Sequence, residues 1–380
     1  MLKAVTVITC LTIILLYLLL LNLIYPYVCW IKHRPSDDDY HFSPPVVTKL
    51  YKQSNRICLK KHQLNLIPMP MKVIFSNKTK LVRIPMVIRI ESKRSLPFST
   101  LRSTPNASFI LSIDYSTDSY PDLGIDESYQ LNITSHHHAS LFANTYVGII
   151  RGLSTFEQLQ HHEKVPIPLF IFDKPRFPWR GLMLDVARHF IPISIIKQTI
   201  DSMRLVKLNV LHLHLSDDQG FRLESKIYPR LHDPHQFYSQ SDIQNLIEYA
   251  RQHAIRIVPE FDIPGHTASW LVGYPHLSSI EKRSHQVEYT WGIHNATMDV
   301  TRQSTYDFLE KFFSEMTKIF PDEYFHIGGD ECVAYEWMQS EHIQNFMKEN
   351  QMNGYPALQV YFTERIEKIL KKFNRKYRCL

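Results

Sequence analysis

The chain has 380 residues, 44% of them hydrophobic, which is enough to bury a large core and to form two ordinary domains. Its formal net charge is +6, from 43 basic and 37 acidic residues, and Lys and Arg occur only in short groups. This pattern argues against nucleic acid as a partner. The five cysteines form no Cys-x-x-Cys pair, which excludes a disulfide-dense scaffold and argues against a thiolate zinc site.

The N-terminal segment, residues 1–34, has the composition of a membrane-spanning helix. No charged residue occurs from Ala4 to Ile31, and this stretch exceeds the roughly 20 apolar residues that a helix needs to cross a bilayer. A cleaved signal peptide is the alternative, but its apolar region is usually about 7 to 15 residues long and ends at a small-residue site. No such site precedes Pro26. We therefore expect residues 1–34 to form a transmembrane signal anchor.

Two conflicting features bear on which side of the membrane the body lies. Lys32 and Arg34 outnumber Lys3 across the apolar segment, so positive-inside counting leans toward a cytoplasmic body. Asn-x-Ser/Thr glycosylation acceptors favour the lumen instead. They begin at Asn77, Asn106, Asn132 and Asn295. We expect a secretory-pathway membrane with a lumenal or extracellular body, in the Golgi or at the cell surface; a lysosomal or secreted protein is the alternative.

Two segments of different character follow the anchor. Residues 35–60 combine prolines with an acidic run, which is typical of a stalk. Within residues 61–165, the β-branched and partly alternating stretches 80–90 and 108–114 predict strands. A helix is predicted to begin at Arg151. We interpret residues 61–165 as a small α+β domain.

Residues 166–380 alternate short apolar runs with amphipathic helices, which predicts β/α units and a parallel sheet. Ser241 is predicted to cap the helix between the second and third strands. The candidate strands are Gly181 to Val186, Leu208 to Leu215, Ile255 to Glu260 and Tyr324 to Gly328. The fold class is therefore α/β, with a (β/α)8 TIM-type barrel of which about four units are recognisable.

Polar residues follow three of these predicted strands. Functional groups of a β/α barrel gather where the strands end, and acids from separate strands should therefore converge there. The residues are Asp217 and Asp218 after the second strand, Glu260, Asp262 and His266 after the third, and Asp330 and Glu331 after the fourth. Their convergence predicts an active site at this edge.

The adjacent carboxylates Asp330 and Glu331 are the leading catalytic candidates. An isolated Asp-Glu pair is usually a solvated loop, but this one follows an apolar strand and the turn Gly328-Gly329, which leaves room for a ligand. One carboxyl group can serve as a general acid while its ionised neighbour stabilises positive charge. Glycoside hydrolysis needs that division of roles.

A metal site is the competing interpretation of the second strand. His212 and His214 point to one face of that strand, where two imidazoles could ligate zinc. The run lacks a complete ligand set, and buried histidines are more often satisfied by hydrogen bonds. Trp179 and Trp270 could stack on a sugar, although core or rim packing is the commoner role for either residue.

Six segments, in this order along the chain, resemble the family-20 glycoside hydrolases, the β-N-acetylhexosaminidases. Together they extend over about residues 60 to 350. They are Asp126 to Tyr129, Arg151 to Leu159, Phe177 to Phe190, Lys207 to Asp218, Pro259 to His266 and His326 to Glu331.

The resemblance implies a small α+β domain packed on a TIM barrel that cleaves terminal β-linked N-acetylglucosamine or N-acetylgalactosamine with retention, using no cofactor. The substrate's own 2-acetamido group acts as the nucleophile. By motif position, Glu331 would be the acid/base and Asp330 would orient the acetamido group. Arg188 would bind sugar hydroxyls, with Asp217 and His266 as supporting residues at the substrate site.

The family pattern continues through further barrel strands, whereas this chain ends at Leu380, and residues 374–380 do not resemble the next family strand. We therefore expect a barrel truncated after about four units, with an exposed edge that favours pairing with another chain, for example in a homodimer. Two alternatives to the enzyme remain open. One is a non-catalytic glycan-binding or interaction protein, and the other is a metal-dependent barrel hydrolase.

Overall fold

The computed structural model describes residues 64–92, 94, 96, 101–117, 120–280 and 283–379. The predicted anchor at 1–34 and the predicted stalk at 35–60 lie outside these residues. Among the helices of the described part, none has both the length and the apolar composition required to cross a bilayer.

The first module is a seven-stranded mixed sheet with helix α1 (Tyr146–Gln160) packed on one face. In spatial order the strands are β1 (Lys72–Val82), β7 (Val165–Asp173), β5 (Tyr129–Ser135), β6 (His138–Thr145), β4 (Ile110–Thr117), β2 (Val87–Ser92) and β3 (Arg102–Ser103). The predicted strand character of 80–90 and 108–114 is confirmed, although residues 83–86 divide the first stretch between β1 and β2.

Strand β7 extends the first sheet past residue 165, where the sequence placed the domain boundary. It pairs antiparallel with both β1 and β5, so the sheet runs to Asp173. Its apolar sequence Val-Pro-Ile-Pro-Leu-Phe-Ile-Phe is equally compatible with the last strand of the first module and with the first strand of the second. Only its hydrogen-bond partners assign it to the first one.

Helix α1 begins at Tyr146, earlier than the predicted start at Arg151, and Thr145 caps it by accepting a 3.0 Å hydrogen bond from Gly148 N. The helix is buried on nearly every side, so it lacks the polar stripe that marks a helix in a sequence. A Cβ on Gly152 would lie 2.3 Å from Leu141 Cδ1. Glycine at that position therefore lets the helix pack directly on β6.

The second module is a parallel sheet whose strands lie side by side in chain order, with helices as the crossovers, as in a TIM-type barrel. The strands are β8 (Gly181–Asp185), β9 (Val210–Asp217), β11 (Arg256–Phe261), β12 (Tyr324–His326) and β13 (Lys376–Arg378), and the short β10 (Gly220–Phe221) is antiparallel to the end of β9. The helices are α2 (Ile193–Leu205), α3 (Gln240–Gln252), α4 (Ala268–Gly273), α5 (Gln303–Ile319), α6 (Tyr335–Gln339), α7 (Glu341–Glu349) and α8 (Tyr355–Lys372), with a 3-10 turn at Pro275–Leu277.

The four predicted barrel strands are confirmed, but the expectation that the chain stops short of another strand is wrong. Residues 376–378 form β13, which pairs parallel with β12. Lys376 N donates to Glu323 O at 2.7 Å, and Ile327 N donates to Arg378 O at 2.9 Å. The strand is Lys-Tyr-Arg, with no apolar run that a pattern could detect. In the described part of the chain, β8 and β13 are edge strands, and the expected pairing with a second chain stays a prediction.

The capping residue of α3 also differs from the prediction. Ser239, not Ser241, is the N-cap: its hydroxyl accepts from Asp242 N at 3.0 Å, while Asp242 Oδ2 accepts from Ser239 N at 3.0 Å. Both serines precede the apolar stripe at plausible distances. The reciprocal capping box selects Ser239, because only from that position does an acidic side chain lie three residues ahead.

A buried ion cluster joins the two modules. Glu127 precedes β5, and its side chain is 4% exposed. Its carboxylate accepts hydrogen bonds from Arg151 Nε at 2.7 Å and from Arg180 Nη2 at 2.5 Å. Asn209 Nδ2 donates to the same carboxylate at 3.3 Å. Since Arg180 and Asn209 lie at the amino ends of β8 and β9, the cluster fixes where the parallel sheet begins.

Substituting Glu127 with Gln should strongly destabilise the fold, because two guanidinium groups would remain buried without a counter-charge. We expect a loss of about 3 to 5 kcal/mol in the free energy of unfolding, measured by urea denaturation. The control is Glu91→Gln, whose partner Arg89 is solvent-exposed, and which should change stability by less than about 1 kcal/mol. Similar stability losses in the two variants would contradict the proposed role of the cluster.

Candidate active site

The polar residues predicted at the strand ends do meet at one edge of the parallel sheet. Register decides this: His214 in β9 lies opposite Asp185 in β8 and opposite Glu260 in β11, and Glu260 lies opposite His326 in β12. The carboxyl ends of these strands therefore bring residues that are far apart in sequence into direct contact. The predicted convergence is confirmed.

Asp217 is the central carboxylate of this edge and is completely buried. Its Oδ2 atom lies 2.8 Å from Arg188 Nη2 and 2.8 Å from His214 Nε2, while its Oδ1 atom lies 3.2 Å from His266 Nδ1. Burial alone would raise the pKa of Asp217, but hydrogen bonds from His214 and His266 hold it well below its usual range. Asp217 is therefore a permanent anion.

Arg188 is positioned by the loop that follows β8. Asp185 Oδ1 accepts hydrogen bonds from the backbone N–H groups of Ala187 and Arg188, and Asp185 Oδ2 lies 3.0 Å from Arg188 Nη1. With Asp217 on its other amino group, the guanidinium is held from two sides. Its side chain is still 22% exposed. That leaves a rigid set of donors for hydroxyl groups of a ligand.

His266 connects Asp217 to Glu331. Its Nδ1 atom lies 3.2 Å from Asp217 Oδ1 and 3.3 Å from Asp218 Oδ2, and its Nε2 atom lies 3.4 Å from Glu331 Oε2. Burial disfavours the charged ring, but the hydrogen bonds that the ring donates to Asp217 and Asp218 raise the pKa of His266 to about 11. The imidazolium therefore carries a proton on each nitrogen, one toward the buried acids and one toward Glu331.

The turn that carries Asp330 and Glu331 is built directly on Asp262. Gly329 N donates to Asp262 Oδ1 at 3.0 Å, and a Cβ on Gly328 would lie 1.8 Å from the same oxygen. Gly328 and Gly329 have φ values of 63° and 93°, in the left-handed region that glycine adopts at no steric cost. Burial raises the pKa of Asp262 well above its usual value, and the charge on Glu260 adds to this. The cation on His266 and the hydrogen bond from Gly329 act in the opposite direction.

Asp330 and Glu331 differ in exposure. Asp330 is partly buried, and one of its oxygens lies within 4.8 Å of ligand atoms of Asp262 and His266. The side chain of Glu331 is 47% exposed, and the φ of 49° at this residue lies in the left-handed region. One acid thus faces into the edge of the sheet while the other stands at its mouth.

A second cluster of charged and polar side chains, centred on Glu260, lies beside Asp217. The sequence did not predict that its members contact one another. Glu260 lies 2.7 Å from His212 Nε2, 2.7 Å from His214 Nδ1 and 3.0 Å from His326 Nδ1. Burial opposes its charge, yet hydrogen bonds with the three rings hold the pKa of Glu260 far below its usual range. The pKa of His214 is raised to about 10, because its bonds to Asp217 and Glu260 outweigh its burial.

The sequence could suggest this second cluster only in part. His212 and His214 were considered as zinc ligands, and the atoms of His212, Glu260 and His326 that could bind a cation do lie within 4.8 Å of one another. Each of these nitrogens faces the Glu260 carboxylate. The histidine pattern correctly predicted which face of β9 carries His212 and His214. The third ring, His326, comes from β12, so only the strand register shows that it joins the cluster.

The tryptophans considered for sugar stacking lie elsewhere. Trp270 is completely buried and donates its indole N–H to Ser216 Oγ at 3.3 Å. The ring of Trp179 packs edge-on against Tyr324 at 5.6 Å, at the amino end of β12. Both residues belong to the packing of the sheet.

The predicted glycosylation acceptors occupy different settings. Asn77 lies in β1. Asn132 lies in β5, and the side chain of Asn132 is half-buried. Asn106 and Asn295 are exposed and lie between regular elements.

Comparison with known proteins identifies this architecture. Residues 177–379 match the catalytic domain of glycosyl hydrolase family 20, and residues 31–159 match the domain described as beta-acetyl hexosaminidase like. The chain belongs to glycosyl hydrolase family 20. The family-20 fold is TIM-barrel-like α/β with a preceding domain, in agreement with the two modules described above.

Its relatives include the beta-hexosaminidase subunit A1 of Dictyostelium discoideum, 39% identical over 73% of this chain and 53% of that protein. The human beta-hexosaminidase subunit beta is 35% identical over 70% of this chain and 49% of that protein. Among solved structures, the Flavobacterium johnsoniae chitobiase superposes with a TM-score of 0.74 at 33% identity, covering 83% of this chain and 52% of that one. This family-20 chain thus spans about half the length of the relatives that it matches.

Replacing Asp217 with Asn should release His266 from its main anionic partner and lower the pKa of His266 by about 1 to 3. Nuclear magnetic resonance titration of the histidine Cε1–H signals measures this directly. A raised pKa in the folded state contributes stability that is complete below about pH 6.5 and disappears as the pH rises toward the folded value. The fall in unfolding free energy from neutral to alkaline pH should therefore be shallower in the variant.

The control for this prediction is Asp233→Asn, because Asp233 is an exposed acid in a surface turn. It should leave the His266 titration in place. An unchanged His266 titration in Asp217→Asn would show that Asp217 does not hold the proton on His266.

Proposed function

We propose that this protein is an exo-β-N-acetylhexosaminidase that releases terminal non-reducing N-acetylglucosamine or N-acetylgalactosamine from glycans. The observation that carries the proposal is the row Asp217, His266 and Glu331, with Asp330 beside it at the mouth of the site. Family membership and the beta-hexosaminidase names of its relatives support the same activity.

The first step is an intramolecular attack by the 2-acetamido group of the substrate on its own anomeric carbon. The carbonyl oxygen of the 2-acetamido group bonds to the anomeric carbon while the bond to the leaving oxygen breaks. Glu331, which is exposed at the mouth, gives its proton to the leaving oxygen. Asp330 accepts a hydrogen bond from the acetamido N–H, which orients the group and stabilises the positive charge that develops on the oxazolinium ring.

The second step returns the enzyme to its starting state. Glu331, now a carboxylate, takes a proton from a water molecule, and the water oxygen bonds to the anomeric carbon from the face that the leaving group vacated while the bond from that carbon to the acetamido oxygen breaks. The acetamido group is restored, and the product keeps the β configuration. No cofactor enters either step.

His266 assists by controlling the charge on Glu331. Because its Nε2–H faces Glu331 Oε2, it stabilises the carboxylate that remains after proton delivery. Asp217 and Asp218 keep the ring protonated, so this help is present throughout the neutral range. Arg188, fixed by Asp185 and Asp217, donates to hydroxyl groups of the terminal sugar.

Changing Glu331 to Gln should lower kcat for an aryl β-N-acetylglucosaminide by at least about 100-fold, because the amide cannot donate the proton. Asp330→Asn should lower kcat by about 10- to 1000-fold, since it loses the negative charge that stabilises the oxazolinium ring. The matched control is Glu364→Gln, on the exposed side of α8, which should keep full activity.

Hydrolysis that survives in Glu331→Gln would refute its role as the acid. If the folded protein binds N-acetylglucosamine without turnover, and Glu331→Gln does not alter that binding, the non-catalytic glycan-binding alternative is correct. Activity that a chelator abolishes, together with bound zinc in elemental analysis, would instead support the metal-dependent hydrolase.

We further propose that the body of the protein lies in the lumen of the secretory pathway, attached through the apolar segment within residues 1–34. The uncharged stretch from Ala4 to Ile31 supports attachment, and the exposed acceptors Asn106 and Asn295 support a lumenal body. The Golgi membrane and the cell surface are the expected sites, with a lysosomal or secreted form as the alternative.

Expression in a eukaryotic secretory system tests this location. Removal of N-glycans by an endoglycosidase should increase the electrophoretic mobility of the protein, and the double variant Asn106→Gln, Asn295→Gln should show a smaller change. Alkaline carbonate extraction should leave the protein in the membrane fraction. A protein without N-glycans whose body is digested by protease from the cytosolic side would contradict the proposal.

A further inference from the structure

The loop at residues 283–297, which we call the rim loop, presents aromatic side chains to solvent beside the candidate site. Tyr289 is 90% exposed and Trp291 is 76% exposed. Large aromatic side chains are stabilised when they are buried against another surface, so they are uncommon in full contact with water. Exposed apolar patches therefore commonly mark binding surfaces. Neither residue is needed for the cores of the two modules.

The base of the rim loop is held by a buried carboxylate. Glu336, in α6 just after the turn with Asp330 and Glu331, is completely buried. Its Oε2 atom accepts from Thr297 N at 3.1 Å, and its Oε1 atom lies 2.9 Å from Arg283 Nη1. Both ends of the rim loop are therefore tied to the element that follows the catalytic pair.

The tip of the rim loop is held over the end of β9. Glu288 N donates to Asp218 O at 3.1 Å, and Gln219 Nε2 donates to Thr290 O at 3.0 Å. These bonds flank Tyr289 on both sides. The aromatic residues are thus presented from a backbone that is fixed next to Asp217 and Asp218, the partners of His266.

Trp291 also extends the candidate site toward the loop after β8. Its ring centroid lies 6.0 Å from that of His189, and His189 follows Arg188 in the loop after β8. The surface formed by His189, Tyr289 and Trp291 therefore continues outward from the residues that would bind the terminal sugar. Flat apolar rings that border a polar pocket suit a pyranose, whose C–H face is apolar and whose edge carries hydroxyl groups.

We infer that Tyr289 and Trp291 form a stacking subsite for the sugar ring to which the terminal residue is linked, on the reducing-end side of the scissile bond. This inference rests on the proposed function: an exo-acting site takes in the terminal N-acetylhexosamine, so the rest of the glycan must pass over the rim. The subsite selects oligosaccharides over single sugars, and its ligand is a β-linked N-acetylhexosamine chain of at least two residues.

The test compares binding of tri-N-acetylchitotriose and N-acetylglucosamine by isothermal titration calorimetry. A Glu331→Gln background prevents hydrolysis, and protein without N-glycans avoids interference from Asn295. Trp291→Ala should weaken trisaccharide binding by about 3- to 10-fold and leave monosaccharide binding unchanged. Trp291→Phe, which keeps an aromatic face, should recover most of the loss.

The matched control is Phe142→Ala, an exposed aromatic on β6 in the first module, which should change neither affinity. Equal losses for both sugars, or no loss in Trp291→Ala, would overturn the inference. A parent protein that binds the trisaccharide no more tightly than the monosaccharide would overturn it as well.

The outcome separates this inference from the proposed function. If the protein with Glu331 intact fails to hydrolyse the trisaccharide, but Trp291→Ala still weakens its binding selectively, the enzyme assignment fails and the subsite stands. If hydrolysis occurs and Trp291→Ala has no selective effect, the subsite fails and the enzyme assignment stands.

Discussion

The ion pairs between His266 and the buried aspartates offset the electrostatic repulsion among the acidic side chains of the candidate site. Asp217, Asp218, Glu260 and Asp262 are all buried at one edge of one sheet, where unpaired charges repel one another and lose their hydration. A protonated imidazole between them supplies positive charge without the length and mobility of a lysine side chain. Its other nitrogen faces Glu331, so the same ring that stabilises the buried acids also contacts the proposed acid/base.

The remaining charges are balanced in the same way. Arg188 and His214 share Asp217, and three imidazole rings surround Glu260, while burial raises the pKa of Asp262. Asp217 and Glu260 each therefore have a cationic side chain beside them. Asp330 is only partly buried and Glu331 is 47% exposed, so a substrate could meet both at this edge.

Strand register sets all of these distances, and the junction between the modules helps to set the register. Glu127 holds Arg180 and Asn209 at the amino ends of β8 and β9, while the functional residues occupy the carboxyl ends of the same strands. The first module thus acts as a fixed support for the parallel sheet. The rim loop is supported in a comparable manner at the carboxyl ends of the strands, because Glu336 ties it to the helix that follows the turn with Asp330 and Glu331.

The sequence by itself determined the fold class, the first four parallel strands of the barrel and the group of residues that form the candidate site, because apolar periodicity and the polar residues at strand ends are local properties of a chain. It missed β13, whose residues are polar, and it placed β7 ambiguously, because a buried apolar strand fits either sheet. Only the tertiary structure brought Glu260 between three rings and His266 between Asp217 and Glu331. Those contacts join residues from different strands, and hydrogen-bond register and burial, which no local pattern encodes, decide which of them meet and which of them carry a proton.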